Sequence, residues 1–297
     1  MTALNYDLNH SRHKMRPDNQ ARNIREKIVN KSKGNPTPVY TKFEEKCSKE
    51  LVKQDLVDLA AGTLSAIRVR GFFSKELCAE VMENLQTVEL GEYDQQVVSS
   101  RIAKLGPSAF DYYIDGGIGD EYWEHRDQSD EVRSALAKGI DPLVLAMEKI
   151  SLCWGSDVRK SSINGRRLFA GMIREINEGA RIHFDEIERE LPNGLDDTPV
   201  AQLAFNCHLE MPKKGGEATI FRRRWMPQDE DNRDGYGYPY DLVKDQPYTS
   251  VRAEVGDAVI FDPRNYHRVE TNKSPGRRVT LSFFMGLTAD GILEIWS

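Results

Sequence analysis

The sequence predicts a mainly β fold with flanking helices (α+β), its core a closed or two-sheet antiparallel barrel, and three observations carry that prediction. From about residue 165 onward the chain runs strand after strand: RLFAGMIREI, RIHF, VAQLAFNCHLEM, EATIF, VRAEVGDAVIF, YHRVE and RRVTLSFFMG are short β-rich runs. Turn-forming NEG, PKKGG, DPRN and NKSPG separate them with no helix between, which argues against a βαβ fold. Helical period is confined mostly to residues from about 48 to 155.

The elements follow in order. Residues 1 to about 45 are polar, with Pro17, Pro36, Pro38 and Gly34 among many Lys, Arg and Asn, and are expected to form a mobile or peripheral arm. Residues 46–297 then read as one domain, with helical support over 46–160 and a β core over about 161–297 that recruits a strand at 64–70. That strand lies in LSAIRVRGFF, which alternates at period two. In SKELCAEVMENL the residues Leu77, Cys78, Val81, Met82 and Leu85 share one helical face, and Ser74 is placed to cap it. A second helix fits EVRSALAKGIDPLVLAMEKI, with Pro142 kinking or dividing it. KKGGEATIF supplies a Gly-Gly hairpin between paired strands. The long interruption MPQDEDNRDGYGYPYDLVKDQPYTS is expected to be a lid over the barrel mouth.

Composition narrows the function classes. A net charge of −6, from 41 basic against 47 acidic residues well interspersed, argues against a nucleic-acid surface. The local cluster Arg222, Arg223 and Arg224 reads as a solvated strand end or as a site for an acidic or phosphorylated substrate. No apolar run approaches the roughly 20 residues of a membrane span, and the first residues lack a signal-peptide core. Cys47, Cys78, Cys153 and Cys207 form no CxxC pair and read as reduced, cytoplasmic thiols. The expected partner is a small-molecule substrate, with neither nucleic acid nor membrane.

Four side chains in the last third carry the chemistry: His183 and Asp185 in RIHFDEIE, His267 in FDPRNYHRVE and Arg278 in SPGRRVTLSFF. Two imidazoles and one carboxylate on one face of an iron leave its other positions open, the arrangement of non-haem Fe(II) oxygenases. On a strand, His183 and Asp185 leave the same face while Phe184 points the other way. A second HxD, His125 and Asp127, lies in uniformly polar sequence and reads as a solvated loop. In VGDAVIFDPRNYHRVE a Gly-Asp turn, an apolar strand and a Pro-containing bend place His267 at the start of the next strand. Arg278 follows eleven residues later, with Thr280 and Ser282 on its face. An arginine among apolar strand residues needs an anionic partner, either a carboxylate cosubstrate or a carboxylate elsewhere in the chain. Arg277 should point to the opposite face and ranks second as a clamp. Asn206 and His208 share a face, lining a cosubstrate pocket or facing solvent. Trp225, Tyr236, Tyr238 and Tyr240 could cover an aromatic substrate or merely anchor their loop. A zinc hydrolase could use the same three ligands with a bound water but has no need of Arg278, and a non-catalytic binding barrel is a further alternative.

The order HxD, Gly-Gly-Glu, Gly-Asp-x-x-x-Phe, His and Arg-x-Thr resembles the Fe(II)/2-oxoglutarate-dependent oxygenase superfamily. The resemblance implies a double-stranded β-helix, or jelly roll, of cupin-like form. It also implies Fe(II) held by His183, Asp185 and His267, O2, and 2-oxoglutarate clamped by Arg278 among residues such as Thr280 and Asn206. IRVRGFFSKEL, KKGGEATIFRRRWMPQ, VGDAVIFDPRNYHRV, SPGRR and ILEIWS are similar to segments of the freestanding halogenases that chlorinate hapalindole- and welwitindolinone-type alkaloids. Those halogenases carry glycine where this chain has Asp185, and the missing carboxylate is what lets chloride bind. The implied reaction here is hydroxylation, or another oxidation begun by hydrogen abstraction, of a small molecule of secondary metabolism.

Overall fold

The chain is described by a computed structural model over residues 43–95, 98–114 and 117–297. It runs β1 (Glu45–Ser48), α1 (Lys53–Ala60), β2 (Ala66–Val69), α2 (Lys75–Leu85), β3 (Ile102–Leu105), α3 (Asp120–Ser134) and α4 (Pro142–Trp154). Then come β4 (Met172–Ile176), β5 (Ala180–His183), β6 (Ala201–Glu210), β7 (Ala218–Arg224), β8 (Tyr248–Val251), β9 (Ala258–Phe261), β10 (Asn265–Val269), β11 (Val279–Leu287) and β12 (Leu293–Trp296), besides shorter pieces. The larger sheet follows the order β1-β2-β9-β6-β11-β4-β3, with β12 also beside β11, and the smaller one the order β5-β10-β7-β8. Between β4 and β11 the chain passes back and forth between the two sheets, the winding of a double-stranded β-helix.

Alternation at period two decides what each face of the larger sheet meets. Leu203, Phe205, Cys207 and Leu209 of β6 and Val279, Leu281, Phe283 and Met285 of β11 form one core with Cys78, Val81, Met82 and Leu85 of α2 and Leu143, Ala146, Ile150 and Trp154 of α4. Their neighbours in sequence, Ala204, Asn206, His208, Arg278 and Phe284, line a cavity on the opposite face. Phe205 joins the layers, its ring stacked 4.5 Å from Phe283 and edge-on at 5.1 Å to Phe72. Phe205→Ala should therefore cost about 3–5 kcal/mol of stability, read as a lowered midpoint in urea unfolding with an unchanged slope.

Ser74 caps α2 as expected, its hydroxyl accepting from the Leu77 N–H. Pro142 divides the second predicted helix: it stands at the start of α4, where Asp141 caps the Leu143 N–H. The arm predicted over 1–45 lies outside the described residues up to 42, and its last residue, Glu45, opens β1, the edge strand of the larger sheet, which pairs in parallel with β2. Three expectations need correction. The support over 46–160 is not purely helical, since β3 joins the larger sheet beside β4. His125 and Asp127 lie within helix α3 rather than in a loop, with the His125 ring 2.9 Å from the Tyr112 hydroxyl. The Gly-Gly segment is a crossing and not a hairpin, because β6 and β7 belong to different sheets. Gly215 has φ +84°, and a Cβ there would stand 2.2 Å from the Thr271 carbonyl oxygen, so only glycine permits this close approach. Among the described residues no helix is long and apolar enough to cross a membrane.

Candidate metal centre and active-site cavity

β5 and β10 are neighbours in the smaller sheet, and their register sets His183 directly opposite His267, with ring centroids 4.2 Å apart. A buried carboxylate fixes the approach to β10. Asp262 accepts from the Arg264 N–H at 3.0 Å, from Arg264 Nη2 at 2.8 Å and from Arg224 Nη2 at 2.6 Å, which holds the DPRN bend that delivers His267. Asp185 does not share a strand with His183, because β5 ends at His183. The Asp185 N–H instead donates to the Pro263 carbonyl at 3.0 Å, tying the chain to that same bend and turning the carboxylate back toward the rings. Its oxygens lie 3.8 Å from His183 Nε2 and 3.3 Å from His267 Nε2.

The donor chemistry suits a divalent metal. His183 Nδ1 lies 2.7 Å from the Arg181 carbonyl and His267 Nδ1 lies 2.9 Å from that of Asn265. A carbonyl can only accept, so each Nδ1 carries the proton and each Nε2 keeps its lone pair for a metal. Burial pushes the His183 imidazole down to about 4, helped by His267, and so keeps it neutral at neutral pH. Burial raises the Asp185 carboxyl, and the neighbouring histidines in their protonated form, with Arg174, lower it, so that the group lies below its usual range. One ligand atom from each of the three residues lies within 4.8 Å of the others.

A cavity of about 310 Å³ opens from this centre across the inner face of the larger sheet. Arg278 lies at its floor, 3 % exposed, its Nε donating to the Gly216 carbonyl at 2.9 Å. Burial, then Arg174, lower its pKa to about 10, which leaves it cationic at neutral pH. Arg277 faces the other way and pairs with Glu175 at 2.6 Å. Thr280 is fully buried beside Arg278, its hydroxyl 3.0 Å from that of Ser282. Asn206 and His208 both line the cavity, and burial, then Arg278, push His208 down to about 3.

The long interruption supplies part of the opposite wall. The Tyr238 N–H donates to the Ile182 carbonyl at 2.8 Å and the Tyr236 hydroxyl accepts from the Arg181 N–H at 2.8 Å, so both cavity-lining tyrosines are fixed to β5. Trp225 and Arg222, expected to touch substrate, do not line the cavity. The Trp225 indole donates to Glu230 at 2.7 Å and lies under the Arg189 guanidinium, while Arg222 is 5.7 Å from the Phe43 ring. Tyr240 is 52 % exposed. Among the lining residues that the sequence did not mark out are Arg174 on β4 and Glu190 at the end of the short helix Ile187–Glu190. Arg174 alternates with Met172 and Ile176, the same arginine-among-apolar signal that marks Arg278; Glu190 sits in the charged run EIERE, which reads as solvated. Burial, then Asp185, push the Glu190 carboxyl up to about 8.

No family model matches the chain. It is 38% identical over 251 residues, 82% of this chain and 92% of the relative, to L-gamma-glutamyl-L-propargylglycine hydroxylase of Streptantibioticus cattleyicolor. It is 32% identical over 139 residues, 44% of this chain and 57% of the relative, to leucinostatins biosynthesis cluster protein S of Purpureocillium lilacinum. Among solved structures, an N-substituted L-amino acid dioxygenase of Burkholderia ambifaria superposes with a TM-score of 0.53 at 14% identity, covering 82% of this chain and 91% of that one. The same enzyme in complex with alpha-KG gives a TM-score of 0.50 at 12% identity, covering 82% and 90%, and these two likenesses bear on the fold. The chain therefore belongs to the Fe(II)- and 2-oxoglutarate-dependent oxygenases, as a hydroxylase of small molecules rather than a halogenase.

Proposed function

We propose that this hydroxylase acts on an amino-acid-derived substrate of the γ-glutamyl dipeptide type, with iron held by His183, Asp185 and His267 and 2-oxoglutarate anchored by Arg278. The substrate class is supported by the 38% identity to a hydroxylase of L-gamma-glutamyl-L-propargylglycine. One observation carries the residue roles: three metal-ready ligand atoms share a cavity with a buried arginine that has no carboxylate partner among the described residues. We further propose residues 46–297 as the oxygenase domain and a cytoplasmic setting, in keeping with four free thiols.

Bound iron and 2-oxoglutarate, with O2, supply the oxidant that replaces hydrogen by hydroxyl at an unactivated C–H bond. The chain's own residues do the positioning. The Arg181 and Asn265 carbonyls fix the two imidazoles by their Nδ1 protons, so neither ring turns when a ligand exchanges. Arg278, with Asn206 on the same cavity wall, offers charge-assisted hydrogen bonds to the distal carboxylate of the cosubstrate, while Thr280, which does not line the cavity, packs next to Arg278 on β11. Tyr236 and Tyr238 close the side toward solvent and hold the substrate against the centre.

The test compares neighbouring arginines. Arg278→Met should weaken 2-oxoglutarate binding by roughly 10- to 100-fold, the worth of a charged hydrogen-bonded pair. Arg277→Met, which breaks the outer pair with Glu175, should change it by less than about threefold. Calorimetric titration of 2-oxoglutarate into each Mn(II)-loaded variant reads both, and equal effects or the reverse order would move the clamp to Arg277.

A further inference from the structure

Once metal and cosubstrate are assigned, one guanidinium and one carboxyl group of the cavity lining remain without an ion-pair partner among the described residues. Arg174 on β4 stands across from Thr280, half-buried, and its Nε donates to the neutral Ser282 hydroxyl at 3.3 Å. Glu190, at the end of the short helix Ile187–Glu190, lines the same cavity. Neither forms an ion pair among the described residues. The other arginines of the upper wall are already satisfied: Arg189 pairs with Glu186 at 2.6 Å and Arg233 with Glu230 at 3.4 Å.

Charge and depth divide the labour. A divalent metal would be partly neutralised by Asp185, and the distal carboxylate of 2-oxoglutarate by Arg278, which is 3 % exposed. Arg174 is half-buried on the same sheet face and lines the same cavity, more exposed than Arg278. A neutral, apolar substrate closing the cavity would strand the Arg174 cation and a protonated Glu190 carboxyl away from water, whereas an arriving ammonium would release the Glu190 proton to solvent and pair with the carboxylate. A molecule bearing both a carboxylate and an ammonium satisfies both at once.

Resting on the substrate class proposed above, we infer that Arg174 anchors a carboxylate and Glu190 the ammonium of a zwitterionic, amino-acid-type substrate, and that these two residues set specificity by charge. The pair acts on substrate and not on metal or cosubstrate.

The experiment titrates L-γ-glutamyl-L-propargylglycine, its two monomethyl esters and its N-acetyl derivative into protein loaded with Mn(II) and 2-oxoglutarate, using wild type, Arg174→Met, Arg174→Lys and Glu190→Gln. Arg174→Met should weaken the dipeptide and one monoester by at least about tenfold and leave the other monoester unchanged, because that ester has already lost the partner. Arg174→Lys should recover part of the loss. Glu190→Gln should weaken the dipeptide by a similar factor and leave the N-acetyl derivative unchanged. Affinity for 2-oxoglutarate should stay within about twofold throughout, which also verifies that each variant is folded. Uniform weakening of every probe, or a loss of 2-oxoglutarate affinity in Arg174→Met, overturns the assignment. So does a wild type that binds the dipeptide no better than Arg174→Met and Glu190→Gln do, with the substrate class left standing. A wild type that binds none of the four probes overturns the substrate class and this assignment with it.

Discussion

His183→Ala and His267→Ala should each abolish Fe(II) retention and turnover, while His125→Ala leaves both near wild type. Disturbing only the outer hydrogen-bond partner of a metal ligand costs about 10–100-fold in affinity or activity, and these variants remove the ligand itself. The loss should therefore exceed that range. The control is demanding because His125 also belongs to an HxD triplet, yet its ring lies in α3 against Tyr112 and does not reach the cavity. Iron content after desalting and succinate released from 2-oxoglutarate are the two measurements, and the thermal midpoint of the metal-free proteins shows that folding is intact. An iron-free His125 variant beside an iron-replete His183 variant would falsify the ligand set.

Much of this was legible because strands and ligands leave short-range marks. The β-rich runs punctuated by NEG, DPRN and NKSPG appear as strands in nearly the predicted places, and the alternation around Arg278 correctly sends Arg277 outward to Glu175. What the sequence concealed depends on long-range geometry. Gly215 and Gly216 signal a reversal, but whether it joins paired strands or carries the chain to the other sheet is decided by the approach of Thr271. Helix α3 buries Tyr122, Trp123, Ser129 and Arg133, and a face that is half polar has no apolar period to detect. Arg133 is tolerated there because Asp130 and Asp141 meet it at 2.6 and 2.8 Å. Asp185 reached the right place for a different reason from the expected one: a bond to Pro263 and not strand alternation brings it to the histidines.

Asp185→Gly should remove most hydroxylation, more than about tenfold by the same ligand-loss comparison, and yield at best a minor chlorinated product in high chloride. The carboxylate lies 3.3 Å from His267 Nε2 and its pKa is held below the usual carboxylate range, so in the wild type an anion fills that position already. Wild-type turnover in high chloride should accordingly give oxygenated or desaturated product alone. Glycine opens the position in the manner of the halogenases that the chain resembles, but transfer of a halogen also demands that the reacting carbon lie nearer the halide than the hydroxyl. That geometry is set by the whole cavity wall, including Tyr236, Tyr238 and Phe184, and one substitution leaves the wall unchanged. A second loss accompanies the first, because the Asp185 carboxylate is the only anion among the three metal-ready groups, so iron retention should fall as well. Mass spectrometry of the products separates the outcomes: a chlorinated main product from the wild type would sink the hydroxylase assignment, and full hydroxylation by Asp185→Gly would remove Asp185 from the metal centre.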